Sequence, residues 1–105
     1  MTIGPVYKLL TEADWAVAEA SGLTATALDA ADGYVHLSSR AQLRETARRY
    51  YGGQARVRLL RFDPGALGDV HWDESRGGDL FPQLYGALEI AKASGSWWLV
   101  PGPDG

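Results

Sequence analysis

The chain is expected to fold as a single small α+β domain, and three observations carry that expectation. Its 105 residues suit one domain, and 46% hydrophobic content suffices for a modest core. Short runs of β-favouring residues alternate with two segments that carry helix-start signals. No 20–50-residue period repeats, and no linker-like stretch divides the chain at an interior point.

Val6 to Leu10 reads as the opening strand. Thr11 and Asp14 then have the N-cap to N3 spacing of a capping box, with Leu10 and Trp15 at the hydrophobic-staple positions. Gly22 stands where that helix should end, since glycine accepts a left-handed backbone at little cost. Thr24 to Gly33 has little pattern and closes on the turn signal Asp32-Gly33. Tyr34 to Leu37 reads as a short strand. Ser39 and Gln42 repeat the capping-box spacing, so the chain turns directly from that strand into a second helix. On it, Leu43, Ala47, Tyr50 and Tyr51 recur at the offsets of one buried face, and Gly52-Gly53 ends it.

Arg56 to Phe62 has apolar side chains of both parities, which suits an interior strand. Asp63-Pro64-Gly65 is a turn, Val70 to Trp72 a short strand, and Ser75 to Asp79 a loop. Leu80 to Leu88 contains Pro82 and Gly86, so an irregular or edge strand is expected there. Glu89 to Ala93 suits one helical turn, Ser96 to Val100 a closing strand, and Pro101 onward a tail. The expectation is about two main helices with five or six short strands.

Composition narrows the function. With no cysteine, disulfides, thiolate metal sites and thiol nucleophiles are excluded. No apolar run approaches the roughly 20 residues of a membrane span, and no signal pattern opens the chain, so a cytoplasmic protein is expected. A net charge of -3 argues against duplex-DNA binding. Seven of the ten basic residues (Arg40, Arg44, Arg48, Arg49, Arg56, Arg58 and Arg61) crowd the centre. They could attract an anionic ligand, or simply form a solvated helix face and an exposed strand.

His36 and His71 are the only histidines, and neither has metal-ligand spacing; no metal is expected. No G-x-S-x-G elbow, Walker loop or Rossmann glycine pattern is present. Within Tyr34-Val35-His36-Leu37-Ser38, alternation puts Tyr34, His36 and Ser38 on one face, just ahead of a helix N-terminus that favours anionic groups. Such a row could hold a nucleotide by ribose and phosphate hydrogen bonds. It could equally be structural, with Tyr34 packed, His36 bonded to a backbone carbonyl and Ser38 helping to cap the helix. A second polar-aromatic group, Trp72-Asp73 with Phe81-Pro82-Gln83-Leu84-Tyr85-Gly86, could line a cleft or cover a core edge.

Val6-Tyr7-Lys8, the Trp15 helix, Asp32-Gly33-Tyr34-Val35-His36-Leu37-Ser38, Gln42, Thr46-Ala47, Tyr51-Gly53 and Phe81-Pro82-Gln83-Leu84-Tyr85-Gly86 occur in that order. Together they resemble the bacterial domain-of-unknown-function family 952, over nearly the whole chain. The stretch Val35-His36-Leu37-Ser38, its helix and the Val57-to-Pro64 strand and turn also resemble part of the RNA 2′-phosphotransferases. Those enzymes have the ADP-ribosyltransferase-like fold, a split sheet that clamps nicotinamide adenine dinucleotide (NAD).

That second resemblance implies a cleft for NAD or an ADP-ribose-like nucleotide, as ligand or as substrate of an ADP-ribosyl or phosphotransferase. RNA enters as a partner only through it. Tyr7, Lys8, Tyr34, Ser38, Gln83 and Tyr85 would be ligand contacts, His36 a catalytic residue and Asp73 a candidate base. Family members often carry histidine at the positions of Lys8 and Gln83, and no motif assigns Glu89 the role of the late transferase glutamate. Neither lysine nor glutamine can shuttle a proton near neutral pH, so these departures favour binding over catalysis. The alternatives are a non-catalytic sensor for a phosphorylated ligand, using Lys8 and the arginine-rich centre, or a protein-interaction domain.

Overall fold

The fold was read from a computed structural model that describes residues 4–74 and 78–100. Strand β1 (Val6–Leu10) is buried along its whole length and sits inside a four-stranded antiparallel sheet of order β3-β1-β4-β7. The partners are β3 (Ser38–Ser39), β4 (Val57–Phe62) and β7 (Gly95–Leu99). β4 lies between β1 and β7, the interior position expected from its two apolar faces. A three-stranded antiparallel sheet of order β2-β6-β5 is built from β2 (Val35–His36), β5 (Val70–Glu74) and β6 (Leu80–Leu84).

Strand alternation sorts the core into two clusters. Tyr7, Leu9, Val57 and Leu59 face helix α3 (Arg40–Tyr51), which contributes Leu43, Ala47 and Tyr51. Val6, Leu10, Leu60 and Phe62 face the other way. They pack with Val35, Leu84, Val70 and Trp72 of the second sheet and with Trp15 and Ala18 of α1 (Glu12–Ser21). The layers therefore run α3, first sheet, then second sheet with α1. Tyr50, expected on the buried face of α3, is instead 57% exposed, because that face is only wide enough for Leu43, Ala47 and Tyr51.

Local signals explain the helix ends. The Thr11 hydroxyl accepts from the Asp14 N–H, and Gly22 closes α1 at φ 82°. Ser39 and Gln42 make the full reciprocal capping box at the start of α3. Among the described residues there are three α-helices, where about two were expected. The weakly patterned Thr24–Gly33 stretch holds α2 (Ala27–Asp32), capped by Thr26 accepting from the Asp29 N–H and ended by Gly33 at φ 81°. Ile90–Lys92 forms a single 3-10 turn within the Glu89–Ala93 segment.

Two strands depart from expectation. The strand expected over Tyr34–Leu37 is shorter: β2 pairs with β6 through Val35 and His36, the ladder breaks at Leu37, and a separate β3 joins β1 through Ser38 and Ser39. The chain thus passes from one sheet to the other within two residues. β6 is a central strand despite Pro82, not an edge. The Pro82 carbonyl accepts from the Leu37 N–H at 3.1 Å. The missing proline N–H therefore faces the point where β2 leaves the sheet, where a donor has least use. The expected loop over Ser75–Asp79 and the tail from Pro101 fall wholly or partly outside the described residues. No helix among the described residues is long and apolar enough to cross a membrane.

Candidate functional site

The crossover from β2 to β3 opens a cleft of about 490 Å³ between the sheets and α2. β1, α2, β2–β3, the later half of α3 and β6 all contribute to its walls. Of the eight residues singled out from sequence, six line it: Tyr7, Lys8, Tyr34, His36, Ser38 and Gln83. Tyr85 and Asp73 do not. The two antiparallel sheets bring Lys8 and His36 together although 28 residues separate them.

The floor is a continuous polar chain. Lys8 is 4% exposed, and its Nζ donates to Asp29 Oδ2 at 2.7 Å and to the His36 carbonyl at 3.0 Å. Asp29 Oδ1 accepts from the His36 backbone N–H at 3.1 Å and lies 2.6 Å from His36 Nδ1. On the other side of the ring, His36 Nε2 lies 2.9 Å from Asp32 Oδ2. Carboxylates only accept, so both contacts are hydrogen bonds when the imidazole carries two protons. Burial pushes the Lys8 ammonium below the ordinary lysine range, only partly offset by Asp29. Burial would raise the Asp29 carboxyl, but the Lys8 charge and hydrogen bond, with the side-chain and backbone hydrogen bonds from His36, outweigh it and hold the carboxyl below its usual range. Their 2.7 Å separation is that of a buried salt bridge.

Lys8 lines the cleft, where a ligand contact was expected, with its ammonium already on two partners. Its charge is committed to Asp29 inside the fold and does not stand free for a phosphate. The arginines do not replace it, since none of the seven between positions 40 and 61 lines the cleft. Arg56 pairs with Glu12 and lies 3.7 Å over Trp98, Arg58 sits over Trp15 and Trp98, and Arg61 over Trp97. These cation–π contacts tie β4, β7 and α1 together on another side of the domain. Arg48 and Arg49 pair with Glu45 on the exposed surface of α3.

Ser38 is buried and its hydroxyl donates to Thr46 Oγ1 at 3.1 Å; Ser39, not Ser38, caps α3. Tyr51 donates to the Leu9 carbonyl, and burial, then the charges of Asp29 and Asp14, push its phenol up to about 12. Gln83 is 4% exposed, with its side-chain oxygen 3.3 Å from Tyr85 Oη. Tyr85 Oη also lies 3.2 Å from Asp73 Oδ2. Partial burial, then the Asp73 charge and hydrogen bond, raise the Tyr85 phenol. Asp73 is thus a partner of Tyr85 on an exposed surface, outside the cleft where a base would have to act.

Sequence reasoning missed Asp29 and Asp32. A signal existed: Thr26-Ala27-Leu28-Asp29 repeats the capping spacing of Thr11-Glu12-Ala13-Asp14. That spacing could have placed a helix start there, with Asp32 one turn further along. Among the described residues, no group of three or more histidine, cysteine, aspartate or glutamate side chains could hold a metal ion.

Residues 9–95 match the model of a protein family described as "Protein of unknown function (DUF952)". The chain belongs to this family. Solved structures of protein CC0527 from Caulobacter crescentus are similar to this DUF952 domain. Its crystal structure is 40% identical with a TM-score of 0.88, covering 96% of this chain and 90% of that one. Its solution structure is 39% identical with a TM-score of 0.83, covering 98% and 90%. No curated protein matches the sequence.

Proposed function

We propose that this DUF952 domain binds a nucleoside-containing small molecule, of the NAD or ADP-ribose kind, by seating a ring and its ribose in the cleft between the sheets. The single observation that carries the reading is the Lys8–Asp29–His36–Asp32 chain on the floor of a cleft whose walls include Tyr7, Tyr34, Tyr50, Tyr51 and Phe81. Ribose hydroxyls are donors that carboxylate oxygens accept well, and Asp32, 41% exposed, retains acceptor capacity beside His36. Tyr34 offers an aromatic wall, and the Gln83 amide suits a carboxamide or a base edge. A few placed polar groups within aromatic walls are what a small-molecule site requires. The resemblance to a split-sheet fold that clamps NAD supports the same ligand class by analogy.

The charges favour the nucleoside end over the diphosphate. Asp14, Asp29 and Asp32 line the cleft against Lys8 and His36, and Lys8 is already neutralised. Both His36 ring nitrogens are also occupied by carboxylates, so the imidazole orients groups rather than relaying a proton. Binding without turnover is the reading that follows.

Calorimetry with adenosine, nicotinamide riboside, NAD, ADP-ribose and inorganic pyrophosphate tests it. At least one nucleoside and its parent dinucleotide should bind, pyrophosphate should neither bind nor compete, and NAD should stay intact. Competition by pyrophosphate, or no binding by any nucleoside, would overturn the proposal.

A further inference from the structure

The polar chain of the cleft floor runs on into a strip of rings. In the second sheet His36 pairs with Gln83, and Gln83 with His71, so the three side chains form one cross-strand row. The inward parity, Val35, Leu84, Val70 and Trp72, packs in the core. The row therefore lies on the opposite, outward face. Tyr34 and Tyr85 flank it. Ring centroids follow one another at 4.6 Å from His36 to Tyr34, 5.4 Å from Tyr34 to Tyr85, and 5.1 Å from Tyr85 to His71.

The near end, His36 and Tyr34, belongs to the cleft wall. The far end is open: Tyr85 is 43% exposed and the His71 side chain 54%. Each of these two rings is held by its polar atom. Tyr85 Oη is bonded to Asp73, and His71 Nε2 lies 2.7 Å from Asp69 Oδ1. Exposed aromatic rings fixed in orientation lose little freedom when another ring stacks on them, and every nucleobase offers a π-face.

We infer that the Tyr85–His71 end of this strip is a second subsite, which stacks the distal planar ring of a two-ring ligand whose first ring and ribose occupy the cleft. The inference rests on the cleft reading above. It assigns His71 a role that no sequence signal gave it, and it moves Tyr85 from the cleft wall to the distal ring.

The test compares NAD with its two nucleoside halves, nicotinamide riboside and adenosine, on the parent protein and on Tyr85→Ala, Tyr85→Phe and His71→Ala. In the parent, NAD should bind about 5- to 100-fold tighter than its better-binding half, the range one stacked ring supplies. Tyr85→Ala should remove most of that advantage and leave nucleoside affinity unchanged; His71→Ala should remove part of it. Tyr85→Phe keeps the ring, loses only the hydroxyl, and should retain the advantage. Nucleoside binding with no NAD advantage, or an advantage that survives Tyr85→Ala, would overturn the second subsite and leave the cleft reading standing. No binding of either half would overturn both. Unchanged far-ultraviolet circular dichroism of the variants confirms that the comparison concerns binding.

Discussion

Lys8→Met removes the ammonium at the centre of the cleft floor while keeping an unbranched chain of similar length. Lys8 is 4% exposed and its partner Asp29 8%. Breaking a buried pair from one side leaves the other charge uncompensated, at a cost of about 3–5 kcal/mol. Here Asp29 keeps the His36 N–H and ring as partners, so the loss should fall at the lower end, about 3 kcal/mol. The His36 carbonyl also loses its donor from Lys8. A loss of that size is a large share of the roughly 5–15 kcal/mol that holds a small domain, and should lower the melting midpoint by about 10–20 °C. Urea unfolding followed by the four tryptophans measures it directly. The double variant Lys8→Met with Asp29→Asn removes the orphaned charge yet keeps an acceptor for the His36 N–H, and should recover at least half of the loss. A single-variant cost under about 1 kcal/mol, or a double variant as unstable as the two singles added, would refute the account of Lys8 as one half of a buried ion pair.

Other perturbations follow from the same geometry. Because the Asp29 carboxyl is held below its ordinary value when folded, its contribution is present above that ordinary value and lost as pH falls through the folded one. Acid unfolding should therefore steepen below about pH 4, and Asp29→Asn should flatten that limb. Tyr51 has the opposite sign: its phenol is raised to about 12, so its contribution is intact below the ordinary tyrosine value and lost as pH climbs through the folded one. Tyr51→Phe should abolish that alkaline limb and cost about 0.5–1.5 kcal/mol at neutral pH through the lost bond to Leu9, as urea titrations at both pH values would report. Thr26→Ala should cost about 0.5–2 kcal/mol by uncapping α2, and should weaken nucleoside binding because Asp29 and Asp32 ride on that helix. His36→Ala leaves Asp29 paired with Lys8 and with the backbone N–H of residue 36, so the fold should survive while nucleoside affinity falls in calorimetry.

Much of the fold was legible in the sequence because its signals are local. The boundaries of α1 and α3 depend on hydroxyls and glycines acting within three or four residues, and Thr11, Gly22 and Ser39 act where their spacing indicated. Interior burial of β4 was equally visible, since apolar side chains of both parities need partners on both faces. The family motifs marked Tyr7, Lys8, Tyr34, His36, Ser38 and Gln83, all of which reach the cleft. Other features depend on partners distant along the chain. Pro82 argues locally for an edge, and only the departure of β2 at Leu37 makes a central position tolerable. Asp29 lies in a stretch with little pattern, and only α2 brings it to Lys8, 21 residues earlier. The same contact turned Lys8 from a free cation into half of an ion pair. Residue types and local spacing determined which groups could do chemistry. Only tertiary packing decided which were already satisfied, because a charge buried at low dielectric must take the nearest opposite charge the fold supplies.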